Sequence, residues 1–80
     1  MIIFQMKTEE NFAAFTDPDS GVMVFIDSFD NQNFDVRIGS LLESTAVGSV
    51  VADDSEVLNR ELTNIYEKAM QSHVNNTTTN

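Results

Sequence analysis

The stretch from Val22 to Gly39 constrains this chain more than any other. Val22-Met23-Val24-Phe25-Ile26-Asp27-Ser28-Phe29 is rich in β-branched and aromatic residues, and Asp30-Asn31-Gln32-Asn33 is a turn sequence. Phe34-Asp35-Val36-Arg37-Ile38-Gly39 then alternates apolar with polar. Strand, turn and strand specify a hairpin. Its register follows from which face each side chain takes. A two-residue loop at Asn31-Gln32 sets Asp27 opposite Val36, among apolar groups, and buries a carboxylate. A three-residue loop, Asn31 to Asn33, sets Asp27 opposite Arg37 and gathers Val24, Ile26, Val36 and Ile38 on one face. Asn33 tolerates the left-handed backbone such a loop needs. The expected pairing is Asp27 with Arg37, with positive φ at Asn33.

A different period governs the C-terminal third. Leu58, Leu62, Ile65 and Ala69 recur at steps of four, three and four, with Tyr66 and Met70 beside them and Glu61, Glu67 and Lys68 off the stripe. Asp53, Asp54 and Glu56 suit the positive end of a helix, and Asp54 or Ser55 can cap it. The pattern predicts a helix from Asp54 to about His73, followed by a polar tail, Asn75 to Asn80. Elsewhere the signals are shorter. Ile2 to Met6 reads as a first strand. Thr8 to Phe15 reads as one or two helical turns, with Phe12 and Phe15 on one face. Pro18 and Gly21 end that element. Ser40-Leu41-Leu42-Glu43 matches a capping box, yet the β-branched run Thr45 to Val51 favours a strand. The expected fold is therefore α+β: a small antiparallel sheet of three to four strands, a C-terminal amphipathic helix packed on one face, and a short N-terminal helix. Residues 1–74 form one domain and 75–80 a flexible tail.

The composition narrows the function classes. Thirteen Asp and Glu face four Lys and Arg, a net charge of −9 on 80 residues. Such a field repels phosphates and anionic membranes and attracts basic protein surfaces. With no Cys and one His, His73 at the end of the last helix, thiol chemistry, nucleophilic triads and His-rich metal sites have no residues to stand on. Asp17-Pro18-Asp19-Ser20-Gly21 begins like a calcium loop, but Gly21 and Ser28 stand where ligands belong. No cofactor is implied, and the chain reads as a non-enzyme. No basic signal sequence or membrane span is evident, so a cytoplasmic location is expected.

Two surfaces are candidates for binding. The first is acidic: Asp17, Asp19, Asp27, Asp30 and Asp35, placed together by the hairpin turn and the loop before it. The second is the other hairpin face, Met23, Phe25 and Phe29, which one helix cannot also cover and which suits a partner or a homodimer. Aromatic residues here neighbour Asp rather than Lys or Arg, which disfavours direct nucleic-acid binding. In size and charge alone the chain resembles phage-encoded inhibitors of restriction, CRISPR and repair enzymes, and immunity proteins that block nuclease toxins. That likeness implies an inhibitor, encoded by a phage or mobile element, that engages a basic nucleic-acid-binding surface of a larger host protein. The alternative is a homodimeric assembly protein using the apolar hairpin face.

Overall fold

The structure, a computed structural model, describes residues 1–78 along the backbone and 1–71 with their side chains. Four strands, β1 (Phe12–Thr16), β2 (Met23–Asp27), β3 (Asn33–Gly39) and β4 (Ser44–Val51), are followed by one helix, α1 (Ser55–Thr78). The strands form an antiparallel sheet in chain order, β1-β2-β3-β4. The α+β class, the C-terminal helix and the strand at 44–51 are as the sequence implies. The His73 side chain and the tail expected at 75–80 lie outside the fully described residues.

Period two sorts the strands onto two faces. Val24, Ile26, Phe34, Val36 and Val50 point to one side and are buried, with Ala13, Phe15 and Ile38 half-buried beside them. Leu58, Leu62 and Tyr66 of α1 seal that side. The helix stripe is thus centred one position away from the expected line: Ile65 and Ala69 are half-buried, and Glu61 is half-buried rather than exposed. Asp54 caps the helix, accepting a bond from the Val57 amide at 2.9 Å. The helix runs closest to β4, where Gly48 allows the approach: a Cβ there would lie 3.0 Å from Ile65 Cδ1. A bulge between Val36 and Arg37 of β3 leaves Val47 as the extra residue of β4.

Three local expectations fail. Ile2 to Met6 is not a strand. The segment is extended, with Ile2, Phe4 and Met6 buried and Ile3 and Gln5 exposed, but it pairs with no other strand. A side chain replaces a strand partner: Asn59 of α1 accepts from the Met6 amide at 2.8 Å and donates to the Met6 carbonyl at 3.0 Å. Ser55 Oγ accepts from the Thr8 amide at 3.1 Å, and the Phe4 ring meets Phe15 and Tyr66 edge-on. The segment therefore lies along α1 and fills the corner between the helix and β1.

The short helix at Thr8 to Phe15 is also absent. Lys7 to Glu10 makes a turn, closed by the Glu10 amide on the Lys7 carbonyl at 3.0 Å, and β1 starts at Phe12. Pairing with β2 decides the matter, because it sends Phe12 and Phe15 to opposite faces. Third, the hairpin register is shifted by two. Asp27 pairs with Asp35 and Phe25 with Arg37. The loop is five residues, Ser28 to Gln32, and Asn31 rather than Asn33 has positive φ, 60°. Buried Ser28 builds it, donating to the Asn33 carbonyl at 2.7 Å and accepting from the Asn31 amide at 2.9 Å. A shift of two preserves the faces, so the apolar set comes out as expected.

Leu62 is fully buried, so Leu62→Ala should cost about 2–5 kcal/mol in denaturant unfolding. Asn59→Ala should leave both polar groups of Met6 unpaired and cost about 1–3 kcal/mol. Faster hydrogen exchange at the Met6 amide would accompany it. Unchanged exchange there would mean that Asn59 does not hold the segment.

Candidate interaction surface

The meander sends its connections to two ends. The β2–β3 loop lies at one end, with the turn before β1 and the junction between β4 and α1. Hydrogen bonds tie these three segments together. Asn31 Nδ2 donates to the Thr8 carbonyl at 2.8 Å, the Ser28 amide to the Asn11 carbonyl at 2.8 Å, and the Ala52 amide to the Gln32 carbonyl at 2.9 Å. This end gathers Glu9, Glu10, Asp27, Asp30, Asp35, Asp53, Asp54 and Glu56. The β1–β2 turn, with Asp17 and Asp19, lies at the opposite end.

The five carboxylates expected to cluster are therefore divided by the length of β2. Asp27, Asp30 and Asp35 share the acidic end. Asp19 is exposed at the far end, and Asp17 is buried there. Asp17 Oδ2 accepts from the Tyr66 hydroxyl at 2.6 Å, Asp17 Oδ1 accepts from the Asp19 amide at 2.9 Å, and the Met1 amine lies 3.3 Å from the same oxygen. The Tyr66 hydroxyl, first, and the Asp19 amide hold the Asp17 carboxyl down at about 2. Burial, reinforced by Asp17, pushes the Tyr66 phenol up to about 12. Asp17 is a core anchor, not a surface charge.

Asp30 is exposed but occupied. Its carboxylate accepts from the Asn33 amide at 2.8 Å, the Gln32 amide at 3.0 Å and Asn33 Nδ2 at 2.8 Å, and these donors, the Asn33 amide above all, hold the carboxyl pKa down at about 2. Asp27 and Asp35 are different. They stand directly opposite each other on the face that α1 does not cover. Like charges in such a pair repel. Arg37 reaches back to Asp27 at 3.1 Å, and Ser49 Oγ donates to Asp35 at 2.7 Å, which offsets part of the repulsion. With Ser49 and the nearly bare Phe29 ring (98% exposed), these three charged groups line a shallow depression.

The apolar candidates also separate. Met23 and Phe25 are on the uncovered face and Phe29 is on the loop above it. Phe25 is only 8% exposed, because the Arg37 guanidinium lies 5.5 Å from its ring centre. Phe12, 53% exposed, adds an aromatic side chain that the helical reading of Thr8 to Phe15 concealed. Glu9, Glu10, Asp53, Asp54 and Glu56 were legible only as helix-start signals, and topology brings them to Asp35. Among the described residues, no group of three or more His, Cys, Asp or Glu is arranged to hold a metal ion. None of the helices described is long and apolar enough to cross a membrane.

Comparison with protein-family models, with curated proteins and with solved structures finds no match to this chain.

Acid should test the Asp17–Tyr66 bond. A carboxyl depressed from 3.8 to about 2 by folding stabilises the protein above pH 4 and loses that contribution between about pH 4 and 2. For Tyr66 the sign reverses, with stability lost from about pH 10 to 12. Tyr66→Phe should flatten both limbs of a stability–pH profile measured by urea unfolding. Limbs as steep as those of the wild type would show that the bond contributes nothing.

Proposed function

We propose that this protein is a non-enzymatic binder that occupies a basic, nucleic-acid-binding surface of a larger protein and thereby inhibits it. The observation that carries this reading is the opposed pair Asp27 and Asp35 on an uncovered sheet face, at the end where three loops concentrate carboxylates. Arg37 is the one cation hydrogen-bonded to either member among the described residues. A partner's guanidinium entering the depression would meet carboxylates on two strands, with Phe29 and Phe12 beside it to cover its apolar stem. Exposed Glu9, Asp53 and Glu56 extend the field along the same end and steer the approach of a basic surface. A phage or mobile-element antagonist of a host restriction or CRISPR enzyme is the form of this activity that size and charge suggest. The homodimer reading through Met23, Phe25 and Phe29 has less to support it, since Arg37 already covers Phe25.

The test is affinity capture from a lysate at low and high salt, followed by nucleic-acid binding of each captured protein with and without this one. Basic proteins should be retained at low salt, released at high salt, and displaced from nucleic acid. Capture of non-basic proteins, indifferent to salt, would overturn the reading. A sharper outcome is available from Asp35→Asn, which removes a repulsive pair. Its unfolding midpoint should equal or exceed the wild type's while its association slows. The triple change Glu9→Gln, Asp35→Asn, Asp53→Asn should also flatten the salt dependence. Unchanged association would leave the charge a solubility device only.

A further inference from the structure

The end opposite the β2–β3 loop carries a feature that the binding proposal does not use. The β3–β4 connection runs from Ser40 to Glu43 with Leu41-Leu42 at its tip, and the Ser40 amide donates to the Glu43 carbonyl at 2.7 Å. Four-residue connections are most often built around a type I turn, with negative φ at its central residues. Both leucines here keep negative φ, and the Ser40 hydroxyl, accepting from the Glu43 amide at 3.2 Å, holds the turn together. The two side chains are 81% and 98% exposed. The turn itself does not require them, and two adjacent leucines this exposed make an apolar tip suited to contact with another surface.

A complementary surface lies at the same end. Where α1 passes the rim of the sheet, Val22, Ile38, Val47, Ala69 and Met70 line an apolar groove of about 590 Å³. All five are only half-buried, so this is the wet margin of the core. Lys68 stands at its rim, sharing Val47 and Ala69 with the adjoining depression. Glu43 stands beside the leucines. Neither Glu43 nor Lys68 has an ion-pair partner among the described residues.

We infer that two copies of this chain associate end to end, each seating Leu41 and Leu42 in the other's groove, with Glu43 of one copy against Lys68 of its mate. A two-fold axis satisfies both contacts at once, because tip and groove belong to the same end of one molecule. Electrostatics favours this end. This end carries exposed Asp19, Glu43 and Glu67 with Lys68 and the Met1 amine, against eight carboxylates at the other, so a chain of charge −9 meets less repulsion when the denser acidic ends point away from each other. Salt then has opposite effects on the two associations: it screens repulsion and strengthens the dimer, whereas it weakens a complex with a basic target. The uncovered sheet face remains free in either case.

Sedimentation equilibrium up to about 1 mM protein tests this, at low and raised salt. The expected result is a reversible dimer that tightens with salt. Leu41→Ser/Leu42→Asn suits the turn and removes no buried area, so the dilute monomer should unfold as the wild type does. Its dimer dissociation constant should rise at least tenfold. Ala69→Gln, which fills the groove from the helix, should do the same. Lys68→Glu should weaken the dimer, and Glu43→Lys/Lys68→Glu should restore it. A wild type that stays monomeric throughout, or a tip variant that dimerises unchanged, would overturn the inference.

Discussion

A helix about 10 Å across cannot cover four strands spaced about 4.8 Å apart, and the rest of this fold depends on how the deficit is met. α1 lies over the β4 side. The uncovered strip near β1 is filled by residues 2–6, an extended segment laid beside the helix rather than added to the sheet. Apolar contact alone would let that segment slide, because Ile2, Phe4 and Met6 are similar knobs at equal spacing. Asn59 fixes the register. Its amide presents one donor and one acceptor to Met6, as a neighbouring strand would, and also donates to the Ser55 carbonyl at 2.9 Å. One polar side chain of the helix thus positions the covering layer, and through Phe4 it positions the Phe15 and Tyr66 rings. Tyr66 in turn anchors Asp17 at the far turn.

A single covering layer leaves the opposite face of the sheet bare, and the residues there show how the chain manages it. Phe25 takes shelter under Arg37. Ala14, Ala46 and Ser49 keep the exposed apolar area small. Asp27, Arg37 and Ser44 form a polar line across three strands, with Arg37 Nη1 3.4 Å from Ser44 Oγ. Strand β1 has no charged residue of its own, and exposed Phe12, Ala14 and Thr16 stand on its free edge. Exposed carboxylates bracket it instead, Glu9 and Glu10 before and Asp19 after. Such flanking charges discourage edge-to-edge pairing between copies, since antiparallel addition would bring acid against acid.

How much of this was legible in the sequence follows from the range of the interaction that decides each element. The C-terminal helix and the two-faced hairpin rest on periodicity within their own residues, and both could be read. The faces survived even though the register did not, because a five-residue loop and a three-residue loop differ by two and period two is blind to that shift. What decided the longer loop was Ser28 and Asp30 bonding to residues on its far side, a pattern no propensity encodes. Residues 2–6 alternate like a strand because one side of them is buried, but the partner is a side chain 53 positions away. Thr8 to Phe15 reads as helical turns from local signals alone, and pairing with β2 makes Phe12–Thr16 a strand instead. The acidic surface was the least legible part. Proximity along the chain joined Asp17 and Asp19 to the hairpin, whereas the meander carries them to the other end.

Net charge is therefore a poor guide to which carboxylates the fold itself uses, and the distribution of hydrogen bonds is a better one. Asp54 caps the helix, Asp30 closes the β2–β3 loop, Asp17 holds Tyr66, and Glu10 accepts from the Lys7 amide at 2.7 Å. These four charges already serve the fold, and neutralising them would disturb it. Glu9, Asp53 and Glu56 accept no hydrogen bond among the described residues, and Asp35, which accepts only from Ser49 Oγ, opposes a like charge across the strands. All four lie at one end. The fold thus separates acids that build the molecule from acids that only project a field. The side chains of Glu43, Glu61 and Glu67 also accept none among the described residues, so the second group is spread along the molecule and is densest at the end that carries Asp27 and Asp35.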